Sequence, residues 1–329
     1  MAQPIAAPGW SPVLRVAFRF VFSYLVLFNL PHAMSYIPWT RKIAQAYAGL
    51  WQAVALWVGK SVLHLRRPMP VDPELGSDRT VDWVQVLAMI AVAAVAALVW
   101  TLVDRKSTHY RRLHAGLRLP ARYILGFTMF SYGMIKVILS QFIVLHFAKL
   151  QEPYGDLSPM GLLWTFMSYS VPYNVFTGAA EAVGGILLFF RRTTLLGTLM
   201  LVTVLTHVVL INFSYDVIVK IYSIHLLLLG LFLVAPDFGR LADLLVLHRP
   251  TQPRQVSPRW FDSGWAKIGR LALKALFIGY FLFTITRDRL EMKREIEERR
   301  ARQRAAHKLD RFILTSRGFH WINEFPMDR

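Results

Sequence analysis

The chain has 329 residues, no cysteine, 55% hydrophobic residues and a formal net charge of +18. The lack of cysteine excludes disulfides, thiolate catalysis and thiolate-ligated zinc or iron–sulfur centres. The apolar fraction exceeds that of soluble domains, and continuous apolar runs reach the roughly 20 residues that cross a bilayer. The positive charge therefore reads as loop charge beside membrane spans, with no nucleic-acid partner.

The apolar runs predict an all-α, polytopic membrane helical bundle of about seven spans; a transmembrane barrel would show short alternating segments instead. The first span covers residues 13–30 and ends at Pro31. It follows Arg15 and Arg19 directly, so it reads as a retained span, with cleavage near His32–Ala33 as the alternative. Residues 39–65 differ. Ile43, Tyr47, Leu50, Trp51, Val54, Trp57 and Val58 fall at helical spacing, interrupted by Arg41, Lys42, Gln52 and Lys60. That pattern predicts an amphipathic helix lying in the membrane interface. A Pro/Asp/Gly loop follows over 66–80.

The second span is 81–103, followed by a strongly basic stretch over 104–122. The third is 123–140. A loop over 141–159 carries PYGD at Pro153–Asp156, and the apolar piece 160–170 is too short to cross, which makes it re-entrant or interfacial. Spans four to six are 173–190, 193–213 and 216–235, with Arg191–Arg192 between the first two. The seventh is 264–286. A charged helical tail covers 287–308, and the closing segment GFHWINEFPMDR is expected to fold back on the membrane surface. Lys and Arg concentrate in the loops after spans two, four and six, which places those loops and the N-terminus in the cytoplasm and the tail outside.

Lys136, Glu181, His207 and Lys220 interrupt apolar stretches. A charge in hydrocarbon costs roughly 2.5–3.5 kcal/mol on insertion scales, so such residues mark function by default. At 1.5 Å per residue they sit about 6, 12, 9 and 6 Å below the outer ends of their spans. They are the candidate catalytic groups. Candidate ligand contacts share their faces or flank them: Tyr132, Gln141, Tyr154, Asp156, Asn174, Thr177, Asn212, Asp216 and His225, the last displaced around its helix from Lys220. Each has a structural alternative. Glu181 can be half of an ion pair with Lys136 or Lys220, His207 a hydrogen-bonded core histidine, either lysine a snorkelling side chain, and Asp156 a cap or turn residue. Gly178, Gly184 and Gly185 suit close helix packing. The histidines lack metal-site spacing, so no metal is expected.

The motifs FSYGMIK (Phe130–Lys136) with Gln141–Phe142, QEPYGD (Gln151–Asp156), SPMGLLWTF (Ser158–Phe166), NVFTGAAEAVGG (Asn174–Gly185), FFRRTTLLG (Phe189–Gly197), NFSYDVIVK (Asn212–Lys220) and SIHL (Ser223–Leu226) resemble the DoxX-like membrane protein family. The resemblance implies a four-helix membrane core over 119–240, preceded by N-terminal spans and an interfacial helix over 1–118. A loop and last span over 241–286 and a charged tail over 287–329 follow. The family includes small subunits of thiosulfate:quinone oxidoreductases, and a more distant similarity reaches the membrane domain of vitamin K-dependent carboxylase. The implied cofactor is a quinone, the implied location the bacterial inner membrane, and the implied partners are the lipid bilayer and an extracytoplasmic redox protein, which would supply the thiols this chain lacks. The expected function is an outer-leaflet polar site for a quinone-like or lipid-phase ligand, linked to a redox process. A transporter or lipid-binding scaffold, or an assembly subunit recruiting an extracytoplasmic enzyme, is the alternative.

Overall fold

The computed structural model describes residues 10–35, 38–66, 69, 71, 77–142, 152–251 and 264–316, and among them the regular structure is all helical. In chain order the longer helices are α1 (Pro12–Ser35), α2 (Arg41–Ser61), α3 (Thr80–Val103) and α4 (Arg111–Val137). Then come α5 (Pro159–Tyr169), α6 (Val171–Leu188), α7 (Thr194–Ser214), α8 (Lys220–Val234), α9 (Phe238–Leu245) and α10 (Gly264–Ser316). Four segments are long and apolar enough to cross a membrane: Pro12–Pro31, Thr80–Val103, Thr194–Ser214 and Lys220–Leu245. Only 22% of each of the first three is buried within the protein, so their remaining apolar surface calls for contact with lipid.

The centre of the molecule is the antiparallel pair α4–α6, welded by glycines on both sides. A Cβ on Gly133 would lie 2.4 Å from the Gly178 carbonyl oxygen, and one on Gly185 would lie 2.6 Å from that of Gly126. Backbones that approach this closely admit no side chain, which explains small residues seven apart on each helix. α7 lies antiparallel to α6, with Gly184 against Leu201 and Gly197 against Leu187. α8 returns beside α7, where Gly230 meets Val202. Leu125, Leu188, Leu201, Leu205, Leu229 and Leu233 fill the middle of this bundle.

α1 and α3 pair antiparallel. α2 does not traverse beside them. Thr40, at its start, donates to the Met34 carbonyl at the end of α1, while Ala55, in its second half, packs on Val81 and Val84 at the start of α3. Both ends of α2 thus stay at one end of the bundle.

Two helices run longer than their apolar stretches. α4 begins at Arg111 and continues through Pro120, which leaves the Gly116 carbonyl without its usual partner. α10 is continuous over 53 residues, about 80 Å at 1.5 Å per residue. It runs parallel to α4: Phe277 meets Phe127 edge-on and Phe281 meets it tilted, and Arg289 donates to Ser131 at 2.8 Å. The expected fold-back of 318–329 lies outside the described residues.

Candidate functional site

One end of the α4–α6–α7–α8 bundle gathers the polar residues. Lys136, in the last turn of α4, forms an ion pair through its Nζ with Oε1 of Glu181 on α6. The Gly133–Gly178 contact makes this possible, because an added Cβ at Gly178 would fall 2.6 Å from Cβ of Lys136. Glu181 is 2% exposed, and its Oε2 finds no hydrogen-bond partner among the described residues.

Three carboxamides nearer this end share that condition. Asn174 (2% exposed) leaves Oδ1 unpaired, Asn212 (5% exposed) leaves Nδ2 unpaired, and Gln141 leaves Oε1 unpaired. Which amide atom is oxygen and which nitrogen is an assignment, so the finding is one unmet polar terminus on each. Helix register brings them to one level. Asn174 stands one turn before Gly178, which faces Lys136 and Val137, so it reaches the level of Ser140 and Gln141. The α6–α7 register set by Gly184–Leu201 and Leu187–Gly197 puts Asn174 opposite the Leu210–Ile211 step, next to Asn212. Phe142, next to Gln141, packs in one cluster with Ile211, Val217, Leu163 and Met167. Its ring meets Trp164 of α5 edge-on at 5.3 Å. The short helix α5 is thus an apolar cap at this end, started by Ser158, whose Oγ accepts from the Gly161 amide at 3.0 Å.

The turns that aim these groups are strained. α4 ends with the Ser140 amide on the Ile135 carbonyl and the Leu139 amide on the Lys136 carbonyl, with Leu139 at φ 60°. This is a Schellman closure with leucine at the position that favours glycine. α7 ends likewise, with Val217 donating to the Asn212 carbonyl and Asp216 at φ 50°.

Lys220 has a different partner from Lys136. Its Nζ pairs with Asp216 at 2.5 Å; the side chain of Lys220 is 14% exposed and that of Asp216 79% exposed, so the pair joins a largely buried lysine to a surface carboxylate. The start of α8 is held by Asp78, which precedes α3. Its carboxylate accepts from the backbone amides of Lys220 at 2.6 Å and Ile221 at 3.0 Å. Ser77 adds a bond from its Oγ to the Ile218 carbonyl at 2.8 Å. A carboxylate on free amides at a helix start neutralises both orphan donors and dipole. Sequence reading missed Asp78, since its partners lie more than a hundred residues away.

The remaining candidates separate. His207 is exposed on α7; the inward positions of that helix are Gly197, Thr198, Leu201, Leu205 and Asn212. His225 is buried and belongs to a different contact: its Nδ1 bonds the Ile221 carbonyl at 2.6 Å, Tyr24 Oη meets its Nε2 at 2.5 Å, and Phe28 stacks on its ring at 3.5 Å. Both nitrogens are thereby occupied. Tyr132 is half-buried between α4 and α8, its ring 6.2 Å from that of Tyr222. Thr177 donates to the Asn174 carbonyl within its own helix. Tyr154 and Asp156 lie exposed on a short 3-10 turn, and the cap of α5 is Ser158 rather than Asp156. Among the described residues no three acidic or histidine side chains gather as a metal site.

The opposite end is basic and holds a second buried cation that sequence reading also missed. Arg19, 3% exposed, donates to Tyr110 Oη, Thr101 Oγ1 and the Asp104 carbonyl, and Tyr110 in turn donates to the Asp104 carboxylate at 2.8 Å. Hydrogen bonds from Ser107 and then Tyr110 pull the Asp104 carboxyl down to about 2.

Over 161 residues the chain is 30% identical to a Bacillus subtilis (strain 168) protein, described as uncharacterized protein YwoB; the match covers 45% of this chain and 96% of that one. The chain belongs to the YwoB family. That family name carries no activity, and the match leaves more than half of this chain as sequence beyond the shared region. No family profile and no solved structure matches the chain.

Proposed function

We propose that this protein is a membrane-embedded binding protein for a quinone-like or other lipid-phase ligand, with its site at the end of α4, α6, α7 and α8 where Lys136 and Glu181 pair. The observation that carries the reading is the set of buried, unpaired polar atoms around that ion pair: Glu181 Oε2, Asn174 Oδ1, Asn212 Nδ2 and Gln141 Oε1. Each buried unpaired group costs about 1–3 kcal/mol, and native proteins retain such groups where something else satisfies them. A ligand head bearing hydroxyl or carbonyl groups would do so. Lys136 would donate to a ligand oxygen and Glu181 Oε2 would accept from a ligand hydroxyl, the arrangement that stabilises charge developing on a ring oxygen in a dry site.

On this reading α4, α6, α7 and α8 are the DoxX-like core, and seven membrane crossings arise if α4, α6 and α10 also span. The basic end faces the cytoplasm of a bacterial inner membrane, by the Lys/Arg bias of its loops, and the site opens toward the outer leaflet. α10 then carries its charged half outward, where a redox partner docks and exchanges electrons with the bound ligand.

The test is extraction of the purified protein and identification of the lipids that co-purify. A quinone or quinol retained by the wild type and lost in Glu181→Gln and Lys136→Ala supports the proposal. Equal retention in both variants contradicts it. Uptake of a ligand into proteoliposomes without chemical change would favour a transporter instead.

A further inference from the structure

Among the described residues the charges at the proposed site pair off, and three of its four unmet atoms belong to carboxamides, the fourth being Glu181 Oε2. Lys136 is paired with Glu181 and Lys220 with Asp216, so these two cations and two anions sum to zero. The Asp78 carboxylate is turned onto the start of α8, where it meets the partial positive charge of the helix end. Arg289 reaches α4 at Ser131, on the face opposite Gly133 and the α6 contact. Among the described residues an anionic or cationic head entering the proposed site would find no unpaired counter-charge and would lose its hydration, a loss that a low-dielectric site does not return. A carboxamide carries donors and an acceptor, and so does a hydroxyl. Gln141, Asn174 and Asn212 each present one unmet terminus at one level under the apolar cap of Phe142 and Trp164.

We infer that the chamber selects an uncharged amphiphile whose head carries hydroxyl groups, and that Gln141, Asn174 and Asn212 read those hydroxyls while Glu181 Oε2 accepts from one of them. This rests on the chamber of the proposed function and names its ligand class. It also predicts an inversion between stability and binding. Asparagine to leucine is close to isosteric here and removes a buried unpaired polar atom. A carboxamide kept for a ligand therefore yields a more stable empty protein when replaced, whereas a structural carboxamide yields a less stable one.

The experiment measures equilibrium binding of five decyl-chain probes to the full chain in nanodiscs, with empty nanodiscs subtracted. The probes are decylhydroquinone, decylglycerol ether, decylbenzene, decanoate and decyltrimethylammonium. The inference expects at least one of the two diols to bind tenfold or more above decylbenzene and above both ions. It expects Asn174→Leu and Asn212→Leu each to weaken that diol about tenfold, equal to about 1.4 kcal/mol, while raising the unfolding temperature of the ligand-free protein. Lys136→Met and Glu181→Gln, which unbalance the charge, should move preference toward decyltrimethylammonium and decanoate respectively. Decanoate, decyltrimethylammonium or decylbenzene binding as tightly as the better diol overturns the inference and leaves the chamber standing. So do leucine variants that bind unchanged or that unfold at lower temperature. A preference for decylglycerol ether over decylhydroquinone upholds the inference and contradicts a quinone-like ring. No binding by any probe overturns the inference and the proposed function together.

Discussion

Lys136 and Glu181 meet beside a close helix contact, where Gly133 and Gly178 let the backbones of α4 and α6 touch. The ion pair is therefore rigidly placed. Removing one partner strands the other charge in the bundle, at a cost of about 3–5 kcal/mol. Lys136→Met and Glu181→Leu should each destabilise by that order, and the double variant should recover most of the loss. Unfolding of the four proteins in detergent, analysed as a double-mutant cycle, measures the coupling.

The glycine weld predicts an asymmetry within one helix. A Cβ at Gly133 would stand 2.4 Å from the Gly178 carbonyl oxygen and 2.5 Å from the Ala182 amide nitrogen, whereas one at Gly116 would meet nothing within 4 Å. Gly133→Ala should cost about 3 kcal/mol or more through forced backbone separation. Gly116→Ala should gain up to about 1 kcal/mol from helix propensity. Thermal unfolding of the two variants checks both signs.

Asp78 ties the loop before α3 to the start of α8 through two backbone amides. Asp78→Ala should lose about 0.5–2 kcal/mol, while Asp78→Asn, which still accepts a hydrogen bond, should lose only a fraction of that. Faster hydrogen exchange confined to the first turn of α8 in Asp78→Ala is the matching local signature.

Asp104 supplies the pH dependence. Its folded value of about 2 lies below the ordinary aspartate value of 3.8, so the unfolded state binds the proton first. Its stabilising contribution is complete above the ordinary carboxylate range and is lost as pH falls from about 4 toward 2. Asp104→Asn should flatten the acid side of the stability profile in that window, and acid titration of both proteins followed by circular dichroism tests it.

The site was legible where chemistry forces burial and illegible where only helix rotation decides. A charge in hydrocarbon draws a partner, so a Glu181 ion pair with Lys136 or Lys220 was readable as an alternative, and Asn174 followed from the helix face that it shares with Glu181. α7 is apolar on nearly every side, which gives no face to read; His207 consequently lies exposed and apart from Glu181. His225 needed knowledge of Tyr24, and Arg19 of Tyr110, two contacts separated by 201 and 91 residues. Of the seven expected spans, the first, second, fifth and sixth coincide with segments long and apolar enough to cross a membrane. The full extent of α4 and α10 was not readable, because both helices continue through Pro120 or charged residues that composition alone assigns to loops and tails.

The most direct measurement is a density map of the protein in nanodiscs made from native lipid. The account predicts an elongated, non-protein density between α4, α6, α7 and α8, its head within hydrogen-bond distance of Glu181 Oε2 and Asn174 Oδ1. Side chains closed over those atoms, with Asn174 and Asn212 bonded to one another or to the backbone, would contradict it.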